Sequence, residues 1–186
     1  MRWPRWLALF VAFCASLAPM AHVLELPNKL RLEGPLWLAV QQQLYNGRGP
    51  LIGSPTVIGG MIINLVLLAA YRGRARPALL FGPAGVAYGA MLLSFFLFNA
   101  PVNEAVDKWT PETLPADWAT YRLRWEIGHS LAALFALLGL VAVGSAIFST
   151  RTSDHNGECA RRHKACRATD AGVQVHALHE NPVGGR

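Results

Sequence analysis

The sequence predicts an all-α protein, a bundle of four transmembrane helices with a short interfacial helix in its first outer loop and a disordered C-terminal tail. Of its 186 residues, 53% are hydrophobic and only 15% are charged, which is too little charged surface for a soluble domain. The apolar residues fall in four blocks, each of the roughly twenty residues that cross a ~30 Å hydrocarbon layer. Helix is the expected spanning form, because four segments cannot close a barrel and an open sheet leaves backbone groups unpaired in lipid.

The four blocks predict one membrane domain over residues 1–148. Its spans are expected at about residues 6–24, 51–70, 78–98 and 127–148. The first block follows Arg2 and Arg5 and has the outline of a signal peptide, but Pro19 directly after Ser16-Leu17-Ala18 opposes cleavage there. We therefore interpret it as an uncleaved first span.

The loop between the first two spans contains a short predicted helix, Pro35 to Tyr45. Proline suits the first turn of a helix, and Asn46-Gly47 supplies a stop. Leu36, Val40 and Leu44 share one face of this segment. It either lies in the headgroup layer or caps the bundle as a surface helix, and we favour the cap.

The last span is predicted to begin outside the hydrocarbon layer. Pro115 is a good first-turn residue, and only isolated glycines interrupt the helical pattern from there to Phe148. Small residues recur every four positions at Gly128, Ala132 and Ala136, a spacing that lets membrane helices approach closely.

Basic residues predict the orientation. Arg72, Arg74 and Arg76 occupy the second connection, and more Lys and Arg lie in both terminal segments, whereas the third connection is acidic. Because Lys and Arg concentrate on the cytoplasmic side, we expect both termini in the cytoplasm and the first and third connections outside. The net charge of +6 therefore sets membrane orientation and does not indicate nucleic acid as a partner.

Residues 149–186 are polar and basic without apolar periodicity, which predicts a disordered cytoplasmic tail. Within it, His155, Cys159, His163 and Cys166 have a spacing that suits a metal site. The stretch includes Asn156-Gly157, has no apolar side to pack and lacks a C-x-x-C pair, so we do not favour a zinc site there.

The predicted topology gathers polar side chains at the outward end of the bundle. The first helix brings His22 and Glu25 to this end, the third brings Asn99 and Asn103, and the fourth enters with Arg122, Glu126 and His129. Members from one helix are three or four residues apart and so share a face. Since ionisable groups at membrane depth are costly unless they find partners inside the bundle, the set predicts one polar cluster with a function. Taken singly, each residue is better explained as an ordinary, water-accessible residue at a helix end than as a functional one.

Several of these residues also resemble a known family pattern. Phe98-Asn99-Ala100-Pro101-Val102-Asn103, followed by Arg124-Trp125-Glu126-Ile127-Gly128-His129, resembles the second half of the anthrone oxygenase-like family of small four-span membrane proteins. Asn99, Asn103, Arg124, Trp125 and His129 match the family pattern, whereas Ala132 stands where the family has a further Arg. The resemblance covers about 50 residues, and it implies the four-span fold more directly than it implies the activity.

The first hypothesis for the cluster is an oxidoreductase or oxygenase acting on a lipophilic phenolic or quinone-like substrate. The resemblance implies a metal-free reaction in which a base removes a proton and the carbanion reacts with oxygen. His129 would be the base, with Glu126 or Glu25 tuning it. Trp125 would form a wall against the substrate ring. The oxyanion would be held by Asn99, Asn103 and Arg122.

The second hypothesis is a metal or haem centre. His22-x-x-Glu25 and Glu126-x-x-His129 supply two imidazoles and two carboxylates from two helices, enough for a single transition metal. A haem between His22 and His129 is less expected, because haem ligands usually lie deeper in apolar spans. The cofactor thus stays open between none and one metal.

The third hypothesis is a non-enzymatic membrane subunit or carrier, in which the polar cluster only fixes helix packing. The bilayer is the expected partner in every case, and a lipophilic small molecule is expected in the first. Homo-oligomerisation stays open.

Overall fold

The protein is described here by a computed structural model that covers the backbone of residues 3–45 and 49–179 and the side chains of residues 3–45, 53–74 and 78–149. This part of the chain consists of helices and turns without a strand, which confirms the all-α prediction. Residues Met1–Ile147 form one compact unit and Phe148–Arg186 a second. The helices, in chain order, are α1 (Trp3–Lys29), α2 (Gly34–Val40), α3 (Gly49–Ala70), α4 (Ala75–Ser94), α5 (Ala100–Val106) and α6 (Trp118–His179).

Four stretches of the described helices are long and apolar enough to cross a membrane: Trp3–Lys29, Gly53–Ala70, Ala78–Val106 and Trp118–Ser149. The protein is therefore an integral multi-pass membrane protein. The helix of the first span continues five residues beyond the predicted end at Leu24, through Pro27 to Lys29. The last helix begins at Trp118, three residues after Pro115.

The third span also differs from its prediction, which ended it at Phe98. After α4 the chain forms a π-helical turn over Phe95–Asn99 and continues as α5 to Val106. Pro101 has no N–H to donate to the Leu97 carbonyl four residues earlier. The Arg124 guanidinium donates to that carbonyl instead, at 2.7 Å, which helps the helix to pass the proline.

Small side chains line the packed interior of the four spans. Ala8, Ala12 and Ala15 of α1 are buried in one cluster with residues of α3, α4 and α6. The fully buried Tyr88 ring lies against Gly60, where a Cβ would approach it to 2.9 Å. The predicted close approach at small residues is present at Gly128, whose Cβ position would lie 2.7 Å from the Phe98 Cβ.

A second cluster caps one end of the bundle. The first loop forms α2 and a π-helical turn over Gln41–Tyr45, as the cap interpretation predicted. Trp37 and Leu38 are buried there against Val102, Val106 and Trp125. Leu36 and Leu44, on the predicted apolar face, are 55% and 63% exposed, so this face points away from the bundle. Trp37 and Leu38 of this loop pack over α5.

The backbone of α6 remains helical to His179, whereas the sequence predicted disorder from residue 149. Residues 149–179 contain no proline, so every residue in them has the backbone N–H that a helical hydrogen bond needs. The side chains of His155, Cys159, His163 and Cys166 lie outside the residues whose side chains are described.

Candidate functional site

The site lies at the end of the bundle where α1 ends, α5 ends and α6 begins. This end, called the capped end below, carries the cluster around Trp37 and Trp125. The opposite end carries Arg5 and Tyr71, with the guanidinium 5.7 Å from the ring centroid. The residues predicted for the polar cluster all lie at the capped end.

Two imidazoles meet at the centre of the site. The ring centroids of His22 and His129 are 4.0 Å apart, with the planes tilted by 37°. Trp125, one helical turn before His129, lies 4.1 Å from the His129 ring and 4.9 Å from the His22 ring. Tyr45 closes the group at 4.7 Å from His22. The first helix, the last helix and the loop above them thus supply one aromatic cluster.

A cavity of about 410 Å³ extends from this cluster into the membrane-spanning part of the bundle. Its walls are mostly small or apolar, from α1, α3, α4 and α6. Among its lining residues are Ala15, Ala18, Val57, Met91, Phe95 and Ala132. Besides Ser54 and Thr56 of α3, the polar lining comprises six residues of the predicted cluster and the first loop: His22, Glu25, Tyr45, Asn99, Asn103 and His129. This is the usual form of a small-molecule pocket, with apolar walls and a few polar groups that fix orientation.

The side chain of His129 makes no hydrogen bond within the described part of the chain. Its contacts there are the rings of His22 and Trp125. Both of its ring nitrogens are therefore available, one as donor and one as acceptor in the neutral ring.

Lys29 is the residue that sequence reasoning missed. Its side chain is only 5% exposed, and its ammonium nitrogen lies 2.9 Å from His22 Nδ1, 3.4 Å from Glu25 Oε2 and 3.5 Å from Glu126 Oε1. The same nitrogen lies 5.1 Å from the centroid of Trp125 and 5.2 Å from that of Tyr45. The available signal was the spacing, since Glu25 and Lys29 are four residues apart and share a helical face.

The two carboxylates of the predicted cluster have different surroundings. Glu126 is 3% exposed and makes its ion pair with Lys29. The Glu25 side chain is 48% exposed and accepts a hydrogen bond from the Tyr45 hydroxyl at 2.8 Å. Burial, followed by this hydrogen bond, raises the pKa of the Tyr45 phenol above its ordinary value. Tyr45 therefore acts as a donor that ties the first loop to α1.

Asn99 and Asn103 position Trp125. The Asn99 amide donates to the Trp125 carbonyl at 2.9 Å, and the Trp125 indole N–H donates to Asn103 Oδ1 at 2.9 Å. The π-helical turn at Phe95–Asn99 inserts an extra residue and so shifts the helix face that follows it. That shift points Asn99 at α6, where the absent side chain of Gly128 leaves room for it.

Arg122 lies away from the cavity lining. Its guanidinium donates to the carbonyls of Lys29 and Leu32, at 3.3 and 2.9 Å, and covers the Trp118 ring at 4.6 Å. These contacts close the end of α1, so the geometry does not support the predicted oxyanion role for this residue. Arg124, matched in the family resemblance, supports the backbone at Leu97.

The geometry also bears on the metal and haem hypotheses. Among the residues whose side chains are described, no three His, Cys, Asp or Glu are grouped so that they could hold a metal ion. Within the predicted set of His22, Glu25, Glu126 and His129, the ammonium of Lys29 occupies the place between the first three. The rings of His22 and His129 are in direct contact, which leaves no room for a porphyrin between them.

Comparisons with protein-family models, with curated proteins and with solved structures find no match to this chain.

Proposed function

We propose that this membrane protein is an oxidoreductase that binds a lipophilic phenolic or quinone-like molecule in the cavity and acts on it with His129 as base. The observation that carries the proposal is the cavity itself. About 410 Å³ of mostly apolar space lies within the spanning helices and ends at two imidazoles. A volume of this size suits a small organic ligand, and its position suits a ligand that partitions into lipid.

The aromatic groups at the polar end favour a planar ligand. Trp125, Tyr45 and Phe95 line the cavity together with the imidazoles. Aromatic rings pack against one another in offset or edge-to-face arrangements. The ligand would place its ring among these side chains and its oxygen beside the histidines.

The reaction supported by the resemblance is a base-initiated oxygenation with dioxygen as the co-substrate. His129 takes a proton from an activated CH₂ group next to the aromatic system, and the carbanion adds to dioxygen. The proton returns to give a hydroperoxide, which loses water and leaves a carbonyl group. One oxygen atom stays in the product and the other leaves as water, so each turnover consumes one dioxygen.

His129 suits the role of base because its ring nitrogens are free among the described residues while Trp125 and His22 hold the ring on two sides. A general base within reach of the substrate contributes about 10²- to 10⁴-fold to a rate. Asn99 and Asn103 contribute indirectly, by fixing the indole of Trp125.

Oxygen uptake tests this proposal. The protein in lipid nanodiscs is supplied with anthrone-like and quinol substrates, and oxygen consumption is compared between the wild type and His129→Ala. We expect a rate loss of about 10²-fold or more in the variant. Leu134→Ala, a change at a 52% exposed residue of the same helix, is the matched control and should retain the rate. Uptake that is equal in wild type and His129→Ala would refute the role of His129.

A second candidate is a non-enzymatic carrier or subunit with the same cavity. It is favoured by the number of predicted site residues that hold helices together, namely Asn99, Asn103 and Arg122. Ligand binding without oxygen uptake distinguishes it. Quenching of Trp125 fluorescence by quinone and phenol probes, with Trp125→Phe as the reference, measures binding directly.

We also infer that both termini face the cytoplasm and that the capped end faces outward, from the concentration of Lys and Arg in the second connection and the terminal segments. In a background in which Cys14, Cys159 and Cys166 are replaced by Ser, a membrane-impermeant thiol reagent added to intact cells should label Thr110→Cys and leave Gly73→Cys unlabelled. The reverse pattern would invert the topology.

A further inference from the structure

Lys29 has a place in the site that no step of the proposed reaction uses. Its side chain is buried at the last residue of α1. Three acceptor atoms lie within 3.5 Å of its nitrogen, one each from His22, Glu25 and Glu126. An ammonium group has three donor hydrogens and no acceptor. The contact with His22 Nδ1 is a hydrogen bond, and the two carboxylates form ion pairs with the ammonium.

Negative and aromatic groups surround the Lys29 ammonium. The carboxylates of Glu25 and Glu126 lie 3.4 and 3.5 Å from its nitrogen, and buried charges are tolerated when they are paired in this way. The faces of Tyr45 and Trp125 lie 5.2 and 5.1 Å from the nitrogen, within the range of a cation–π interaction.

The contact with His22 has a consequence for the imidazole. Because the ammonium can only donate, the nitrogen that it approaches at 2.9 Å, Nδ1 of His22, must accept. A neutral imidazole that accepts at Nδ1 carries its hydrogen on Nε2. Glu25 Oε2 is 3.9 Å from the same Nδ1, too far for a hydrogen bond that would favour the other tautomer.

We propose that Lys29 is a positioning residue that fixes His22 as the neutral Nε2–H tautomer and so gives the two cavity histidines different roles. His22 is a hydrogen-bond donor to the ligand, and His129 is an acceptor and base. The ligand class that fits has a carbonyl or phenolic oxygen facing His22 and an acidic hydrogen facing His129. The donor role of His22 and the base role of His129 toward a ligand rest on the proposed function, whereas the tautomer of His22 does not.

The tautomer can be measured without any substrate. Protein labelled with ¹⁵N-histidine in nanodiscs gives long-range proton–nitrogen spectra in which the hydrogen-bearing and bare ring nitrogens are distinct. The chain has six histidines, and the His22 signals are assigned by their loss in His22→Asn. We expect a bare Nδ1 and a hydrogen-bearing Nε2 in the wild type.

Two variants test the role of Lys29. Lys29→Met removes the donor and should replace the single His22 tautomer by a mixture or by the Nδ1–H form. Lys29→Arg keeps a group that only donates, so it should retain the Nε2–H form. A cooperative thermal unfolding transition close to that of the wild type serves as the check that each variant is folded.

Either of two results overturns the proposal. One is a wild-type His22 with hydrogen on Nδ1, which decides the matter even if Lys29→Met does not fold. The other is a folded Lys29→Met with an unchanged His22 pattern. If the tautomer is confirmed while the wild type neither binds probes nor consumes oxygen, the proposed function fails and the assignment of Lys29 stands.

Discussion

His22 and His129, from the first and the last membrane helix, stack with their ring centroids 4.0 Å apart at the polar end of a mostly apolar cavity. Neither helix alone creates this arrangement, because α1 supplies one ring and α6 the other. The pair depends on how closely α6 approaches the neighbouring span, and that approach occurs at Gly128, next to His129.

Gly128→Ala should destabilise the bundle. A Cβ at this position would overlap Asn99 Oδ1 and lie 2.7 Å from the Phe98 Cβ, so α6 would have to move away from the π-helical turn. Overpacking of this kind costs about 1–3 kcal/mol. Gly89→Ala is the control, since a Cβ there meets nothing within 4 Å and should be neutral or slightly stabilising. Thermal unfolding in detergent micelles compares the two, and equal midpoints would contradict the close approach.

Arg124→Ala should cost more in the wild type than in a Pro101→Ala background. In the wild type, Arg124 donates to the Leu97 carbonyl, to which Pro101 cannot donate because it has no N–H. Alanine at position 101 brings back a backbone N–H that can take over this acceptor. A double-mutant cycle on the free energy of unfolding should give a coupling of about 0.5–1.5 kcal/mol, the net contribution of a hydrogen bond. Additive losses would show that the two residues act independently.

The sequence predicted that His22 and His129 would lie near each other because the order of the spans brings both to the same end of the bundle. Apolar block lengths set four spans, and alternating crossings bring the end of α1 and the start of α6 to the same end of the bundle. Ionisable residues gathered there are expected to find partners inside the bundle. The three-residue spacing of His22 and Glu25 was enough to predict that they share a helical face.

Lys29 and the role of Asn99 could not be predicted in the same way. Hydropathy ends the first span at Leu24, so Lys29 was expected in a loop, yet α1 continues because the charge of Lys29 is paired with Glu25 and Glu126. The direction of Asn99 depends on the π-helical turn over Phe95–Asn99. An inserted residue of this kind leaves no mark on the apolar pattern, but it changes which side chain faces α6.

Arg122→Gln should lower stability and leave the reaction of the folded protein intact. The guanidinium donates to two carbonyls at the end of α1 and covers Trp118. Loss of charged hydrogen bonds to buried acceptors costs about 1–3 kcal/mol. Unfolding in detergent measures that loss, and oxygen uptake per folded molecule measures the reaction. A large fall in rate without loss of stability would restore the oxyanion role that the sequence suggested.

Ionisation of the Tyr45 phenol should lower the free energy of unfolding at high pH. Its pKa is raised above the ordinary value of 10.0 by burial and by the hydrogen bond to Glu25. The unfolded chain therefore loses this proton first as pH rises through about 10, and the free energy of unfolding falls from there upward. Tyr45→Phe has no phenol to ionise, so its stability should fall less over the same range. Unfolding midpoints on both sides of pH 10 measure the difference, and parallel curves would contradict the shift.

Ala132→Phe should block the cavity without disturbing the histidines. Ala132 lines the cavity one turn beyond Gly128 and three residues after His129, so a phenyl ring there would occupy space that the ligand needs. We expect quenching of Trp125 by a quinone probe to require at least about tenfold more probe, equivalent to 1.4 kcal/mol of binding free energy. Leu138→Phe, at a residue of the same helix that is 54% exposed, is the matched control and should bind as the wild type does. Because phenylalanine is apolar, the change tests the use of the space rather than its charge. Unaltered binding in a folded Ala132→Phe protein would mean that the probe binds elsewhere, and the assignment of this cavity as the ligand site would be wrong.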